Sequence, residues 1–252
     1  MFRHEGADRS HRHNQLLAGY LALIAGFVNS AGFILIGSFT SHVTGNVGRF
    51  ADDVALGRPA AVLAAFMVVA YFAGAFLASM ALESNVLRRT SIYGGLLLLE
   101  AALLASFAVL SYLMDTRNPL FRDIQGMLLC IAMGLQNSFV TRLSGAVVRT
   151  THLTGAVTDL GIEGARWFRL WRIRIGDRAR VRLVAGDAPA IQPHAPRTFL
   201  LLTILVTFIL GSALGATLAM LLGQIAMLVP TVSLVAGGLL AMHDRREIDL
   251  RR

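Results

Sequence analysis

The sequence predicts an all-α, polytopic membrane protein: six transmembrane helices arranged as two inverted three-helix repeats, each with a broken Thr-Gly segment and a short amphipathic helix. Three observations predict it. Of 252 residues, 55% are hydrophobic and only 15% charged, with a mean hydropathy of +0.62, against roughly 25% charged in ordinary soluble domains. The basic residues, 23 in number and all arginine, fall in the gaps between long apolar runs. A motif in the first of those runs returns in the fourth.

The runs define the elements in order. Charge-free stretches extend from Gln15 to Ser41, Ala60 to Leu82, Ile124 to Thr141 and Thr198 to Met242, and Ser91 to Met114 is broken only by Glu100. A bilayer core of about 30 Å takes about 20 helical residues. The last stretch is far longer than one crossing needs, so it is expected to fold back near Gly223-Gln224, which makes six spans. The first run holds Asn29, Ser30 and several glycines and is too long for a signal-peptide core, so it is expected to stay in the protein. The resulting division is a tail (1–14), a first repeat (15–114), an external loop (115–123), a second repeat (124–243) with an Arg-rich cytoplasmic insertion (168–197), and a second tail (244–252). With Arg49, Arg58, Arg117 and Arg122 outside and the other arginines inside, the positive-inside bias places both ends in the cytoplasm, and the expected location is the bacterial inner membrane.

The halves repeat one another. Gly26-Phe27-Val28-Asn29-Ser30 is answered by Gly134-Leu135-Gln136-Asn137-Ser138 at an offset of 108, which Gly37 and Gly145 share; two residues later in register, Ser41-His42-Val43-Thr44-Gly45 is answered by Thr151-His152-Leu153-Thr154-Gly155 at 110. Helical periodicity follows in both copies. Val47, Phe50, Ala51, Val54 and Ala55 make one apolar stripe, and Val157, Leu160, Gly161, Gly164, Ala165 and Phe168 the other. The opposite faces carry Arg49, Asp52 and Asp53, and Asp159, Glu163 and Arg166, so neither helix can lie bare in lipid. Gly74 and Ala78 in the second span are matched by Gly211 and Gly215 in the fifth, small residues that let helix backbones approach. A unit of three crossings returns the chain on the opposite face, so its second copy inserts upside down; if each short helix crosses as well, the units have four spans and run parallel.

Gly26-Phe27-Val28-Asn29, Phe39 through Thr44-Gly45-Asn46, Met133-Gly134-Leu135-Gln136-Asn137, and Thr150-Thr151 through Thr154-Gly155 together resemble the YoaK-like integral membrane proteins of bacteria, a family catalogued as a domain of unknown function. The resemblance covers nearly the whole transmembrane region. It implies the fold and the membrane location and no established activity. That family commonly carries an aspartate where this chain has Asn29.

The repeats also mark candidate site residues, because interrupted segments at matching positions of two inverted halves are where secondary transporters place substrate. Asn29 and Asn137, with Gln136 beside the latter, are amides within apolar helices; they serve either as hydrogen-bonding glue between helices or as the lining of a wet central cavity. His42 and His152 can carry protons or donate to a substrate, or else satisfy backbone groups freed by the break. Thr44-Gly45-Asn46 and Thr154-Gly155 open helices, where a hydroxyl can cap and backbone amides can face an anionic group. Glu100, a formal charge inside the spans, is the candidate for proton coupling; the alternatives are that it snorkels or stays protonated.

The insertion is basic, and Trp171 to Ile175 and Ala179 to Leu183 alternate with period two around Gly176-Asp177, which predicts a small hairpin drawn to anionic headgroups. A flexible, solvated insertion ending in linker-like Ala-Pro-Ala and Ala-Pro-Arg is the alternative. One cysteine, Cys130, excludes an intrachain disulfide and a cysteine-based metal site. The absence of lysine excludes a phosphate-binding loop of the usual kind and a Schiff base. The expected function is a secondary transporter or channel for a small polar or anionic solute, with no cofactor, no metal and no enzymatic activity. The expected partners are the bilayer, the solute and anionic headgroups, and no nucleic acid; small-residue faces permit a homo-oligomer without requiring one. The alternative function is a non-transporting scaffold or lipid-sensing module acting through the basic insertion.

Overall fold

The computed structural model describes residues 11–83, 92–113, 118–143, 151, 153–174 and 194–249. Among them every regular element is helical: α1 (His11–Ile36), α2 (Val43–Ala55), α3 (Ala60–Glu83), α4 (Ile92–Leu113), α5 (Pro119–Leu143), α6 (Leu153–Arg174), α7 (Ala195–Leu222), a 3-10 turn (Gly223–Met227) and α8 (Leu228–Asp249).

Local chemistry sets several of the ends. α1 stops at Gly37, whose φ of +76° suits glycine and whose N–H donates to the Phe33 carbonyl (2.9 Å). α5 starts after Asn118, whose Oδ1 accepts from Leu120 N (3.0 Å), with Pro119 at the first helical position, where its missing N–H costs nothing. The long last apolar run breaks at the expected place: Gly223 takes a φ of +60° and separates α7 from α8. Among the described residues five stretches are long and apolar enough to cross a membrane: Gln15–Ile36, Ala60–Glu83, Ile92–Leu113, Leu120–Arg142 and Ala195–His243, the last containing the break at Gly223.

Two of the helices form the interior. α1 buries Leu17, Ala18, Leu21, Ala22, Ala25, Val28 and Ala31 completely, and α5 does the same with Leu129, Cys130, Ala132, Met133, Leu135 and Phe139. α1 lies along α7 and α3 along α5, while α4 packs on α8 and α5, α2 on α3, and α6 on α7. The outer helices turn apolar side chains away from the protein. On α3, Val62, Phe66, Val69, Phe72 and Phe76 form a stripe in which every residue is more than half exposed, a patch that soluble monomers rarely leave uncovered. The chain therefore has the anatomy of a multi-pass membrane protein.

Glycine sets how closely the pairs approach. A Cβ at Gly26 would run into the Phe208 carbonyl of α7, and one at Gly134 into the Tyr71 carbonyl of α3. Likewise Gly74 abuts the Ile131 carbonyl and Gly211 the Leu23 carbonyl. These four contacts are two contacts made twice: Gly26 and Leu23 lie 108 residues before Gly134 and Ile131, and Tyr71 and Gly74 lie 137 before Phe208 and Gly211. Gly215, at the place of Ala78, adds a fifth close approach at the Phe27 carbonyl.

Three expectations change. The first arm of the expected hairpin is helical through Arg174, because α6 continues past the twelve-residue stripe; Phe168 and Trp171 stack at i, i+3 with centroids 5.6 Å apart, and this neighbour contact outweighs the short alternation. The remainder of the hairpin lies outside the described residues. Ala195-Pro196-Arg197 is the first turn of α7 rather than linker, with His194 as its N-cap, Nδ1 accepting from Arg197 N (3.2 Å). The Thr-Gly pairs stand inside their helices. The break in the first half spans Gly37 to His42, His42 occupies the cap position of α2 without a side-chain capping bond, and Thr44 and Thr154 are each the second residue of a helix, two positions too late to cap.

Candidate functional site

The two asparagines hold the segments that follow their helices. Asn29, 9% exposed on α1, accepts through Oδ1 from both Ser41 N (3.2 Å) and Ser41 Oγ (2.9 Å), which folds the broken segment back against the helix it left. Asn137, 8% exposed on α5, donates from Nδ2 to the Tyr71 hydroxyl (2.9 Å) on α3, and that hydroxyl also hydrogen-bonds the Thr151 side chain. Ser41 and Thr151 are themselves repeat-matched. Each half thus joins its asparagine to the same hydroxyl-bearing position, directly in the first and through a tyrosine in the second. Asn137 Oδ1 is buried without a partner, as is Thr40 Oγ1 in the first broken segment.

Gln136 lies deeper. It is fully buried and donates from Nε2 to the Leu21 carbonyl of α1 (2.9 Å), bridging the two central helices, while its Oε1 has no partner. Glu100 on α4 is also fully buried, and neither carboxylate oxygen has a partner. An unpaired buried polar group is costly, so these oxygens mark places where packing alone does not explain the residue.

The other candidates stand elsewhere. Thr44 and His42 are exposed at the start of α2, and Gly45 is pressed against the His42 ring. Thr154 and Gly155 are exposed at the start of α6, the Thr154 carbonyl accepting from Thr158 Oγ1 (2.9 Å). Asn46 is buried on the inner face of α2. His152 lies outside the described residues. Among the described residues no cluster of His, Cys, Asp and Glu is arranged to hold a metal ion.

The orientation of the short helices adds two residues to the site region. Val47, Phe50 and Val54 of α2 and Val157, Ile162 and Phe168 of α6 are between 41% and 57% exposed, whereas Asp53 and Glu163 are nearly fully buried, at 5% and 1%. Asp53 and Glu163 turn inward and these apolar side chains outward, while Asp52 is exposed. Asp53 sits between Arg49 (3.7 Å) and Arg58 (3.8 Å), and Glu163 pairs with Arg166 and accepts from His194 N (3.0 Å). Asp53 and Glu163 are related by the same offset of 110, and each ties its short helix to the start of the span that follows. Charge alone marked these residues in the sequence; matched position is the signal that singles them out from Asp52 and Asp159. Tyr71 carried no such signal, since Phe208 stands at its matched position.

Apolar helices long enough to cross a bilayer, closely packed through repeat-matched glycines, define a polytopic membrane protein with several buried polar side chains in an apolar interior. The model of the DUF1275 family, described as proteins of unknown function, matches residues 17–240, and the chain belongs to that family. Neither the curated proteins nor the solved structures contain a match, so the likeness to YoaK-like proteins rests on the motifs alone.

Proposed function

We propose that the chain is a bacterial inner-membrane secondary transporter or channel for a small polar or anionic solute, built of two inverted repeats with both termini in the cytoplasm. In this reading α7 and α8 are separate crossings, which makes six spans, and each half contributes three. The observation that carries the reading is the doubled site: Asn29 with Ser41, and Asn137 with Tyr71 and Thr151, at corresponding depths of the two interior helices. The glycine contacts support it, because each close pair takes one helix from each half. Two such pairs sliding or rocking against one another would expose the asparagines to one side and then the other, with α2 and α6 as gates.

The test is thermal stability of the detergent-purified protein across a solute library, for the native chain and for Asn29→Ala and Asn137→Ala. A solute at about 100 times its dissociation constant stabilises the fold by about 2.7 kcal/mol. The expected result is a solute class whose shift is lost in both variants; a shift indifferent to both removes the site from the repeat axis. Cysteines at Thr44 and Thr154, in a Cys130→Ser background, should change reagent access in opposite directions when that solute is added, and constant access at both would overturn the gating.

A lipid-sensing scaffold is the second reading. The observation that favours it is α6, where Trp167, Phe168 and Trp171 are exposed among Arg166, Arg169 and Arg172, the residue types that sit at a membrane interface. Deleting residues 169–193, which removes Arg169, Trp171 and Arg172 with the rest of the basic insertion, separates the two: transport that survives the deletion sinks the scaffold.

A further inference from the structure

Gln125 Nε2 donates to Ser111 Oγ (2.9 Å), and this buried bond sets the register of α4 against α5. The two helices are joined by a short connection and pack together, so they run antiparallel. Counting eleven residues back from Ser111 reaches Glu100, and eleven forward from Gln125 reaches Gln136. Equal counts at equal rise place these two side chains at the same depth, and both are 0% exposed. At that depth α1 brings Leu21, whose carbonyl is already taken by Gln136 Nε2. It also brings Tyr20, whose hydroxyl donates to the Ser233 carbonyl of α8 (2.8 Å) and accepts from Ser233 Oγ (3.3 Å).

The cluster is short of donors. Glu100 Oε1, Glu100 Oε2 and Gln136 Oε1 are three buried acceptors without partners, while Gln136 Nε2 and the Tyr20 hydroxyl each donate to a backbone carbonyl and Ser233 Oγ donates to that hydroxyl. Among the described residues no cation is paired with the carboxylate. Tyr20, held by Ser233, is the titratable neighbour that α1 contributes. Cys130 of α5 packs on Met67 and Ala70 of α3, Glu83 and Arg142 pair with each other at the surface, Tyr71 is engaged by Asn137 and Thr151, and His243 of α8 is exposed. The 3-10 turn carries no titratable side chain. A bare carboxylate at this position is prohibitive in free energy, and a single proton resolves two defects together: it removes the charge and turns one acceptor into a donor.

We propose that Glu100 is a proton-binding site, holding a proton as the neutral acid with Gln136 Oε1 accepting its O–H, and releasing it only when α1, α4, α5 and α8 part far enough to admit water. Proton binding stands whether or not the chain transports; the transport reading supplies only its use, as the coupling step.

Carbodiimide labelling of the full chain in detergent tests it, because the reagent adds the O–H of a protonated, water-shielded carboxyl across its C=N bond and rearranges to a stable N-acylurea that mass spectrometry locates. The expected result is labelling of Glu100 that persists into mildly alkaline buffer, is absent in Glu100→Gln, and is indifferent to sodium ions. Gln136→Leu, which removes the acceptor, is expected to lower the pH at which labelling is half lost by about one unit, a tenfold weaker hold on the proton. Labelling that disappears over the range of a water-exposed carboxyl, or none at any pH in a chain that melts cooperatively, overturns the proposal. Suppression by sodium ions overturns it in favour of a metal-cation site.

Discussion

At the scale of single residues, Gly26, Gly74, Gly134, Gly211 and Gly215 each stand against a backbone carbonyl at a distance no Cβ could keep. A backbone carbonyl cannot move aside as a side-chain tip can, so a methyl group there forces two helices apart. Gly134→Ala and Gly74→Ala are expected to lower stability by at least about 1–3 kcal/mol, read as a fall in Tm of the purified protein. Gly164→Ala is the control: nothing lies within 4 Å of a Cβ at that position, and replacing a helical glycine gains up to about 1 kcal/mol. Equal effects at Gly134 and Gly164 would show that the close approach does not limit the packing. Asparagine and aspartate are equally short at position 29, yet they differ at Ser41. A neutral amide can present either an oxygen or an N–H, and here it presents the oxygen to two donors on one residue, so no charge is needed to hold the broken segment.

At the scale of elements, α2 and α6 read in opposite senses depending on the surrounding medium. In water, Val47, Phe50 and Val54 would face a core; here they face outward while Asn46 and Asp53 face in, which is the arrangement a lipid environment rewards. A nitroxide attached at Phe50, in the Cys130→Ser background, is expected to collide with lipid-dissolved oxygen and to be shielded from a water-soluble nickel reagent, whereas one at Asn46 is shielded from both. Nickel access at Phe50 would put α2 on the aqueous surface. Periodicity in the sequence identified both stripes but carried no information about which one turns inward, since that depends on whether the neighbour is water, lipid or protein. The length of α6 was hidden for a related reason. Trp171 to Arg174 alternates like a strand over too few residues to outweigh a helix already under way, and the stacking of Phe168 on Trp171 is a contact that alternation does not register.

At the scale of the whole molecule, the apolar runs located the spanning helices and the break at Gly223, because hydropathy and length are properties of the chain itself. The matched motifs pointed to Asn29 and Asn137, both of which are buried, but not to the partner of the second, because Tyr71 belongs to another helix and has no polar counterpart in the other half. Cys130 gives a global probe. It is 0% exposed between α3 and α5, so a maleimide is expected to leave it unmodified in the folded protein and to react fully once denaturant separates that pair. Prompt modification without denaturant would mean that α3 and α5 part readily. The interleaved pairing also has a consequence for how the chain is made. About 160 residues lie between the end of α1 at Ile36 and the start of its partner α7 at Ala195, which at about 5–20 residues per second is about ten to thirty seconds of synthesis. α3 waits only a few seconds for α5. The bond from Asn29 to Ser41 is local enough to form at once, but the glycine face of α1 stays uncovered throughout that interval. α1 is made well before α7 and is left without its mate until then, so the insertion machinery, rather than the fold, has to shield it.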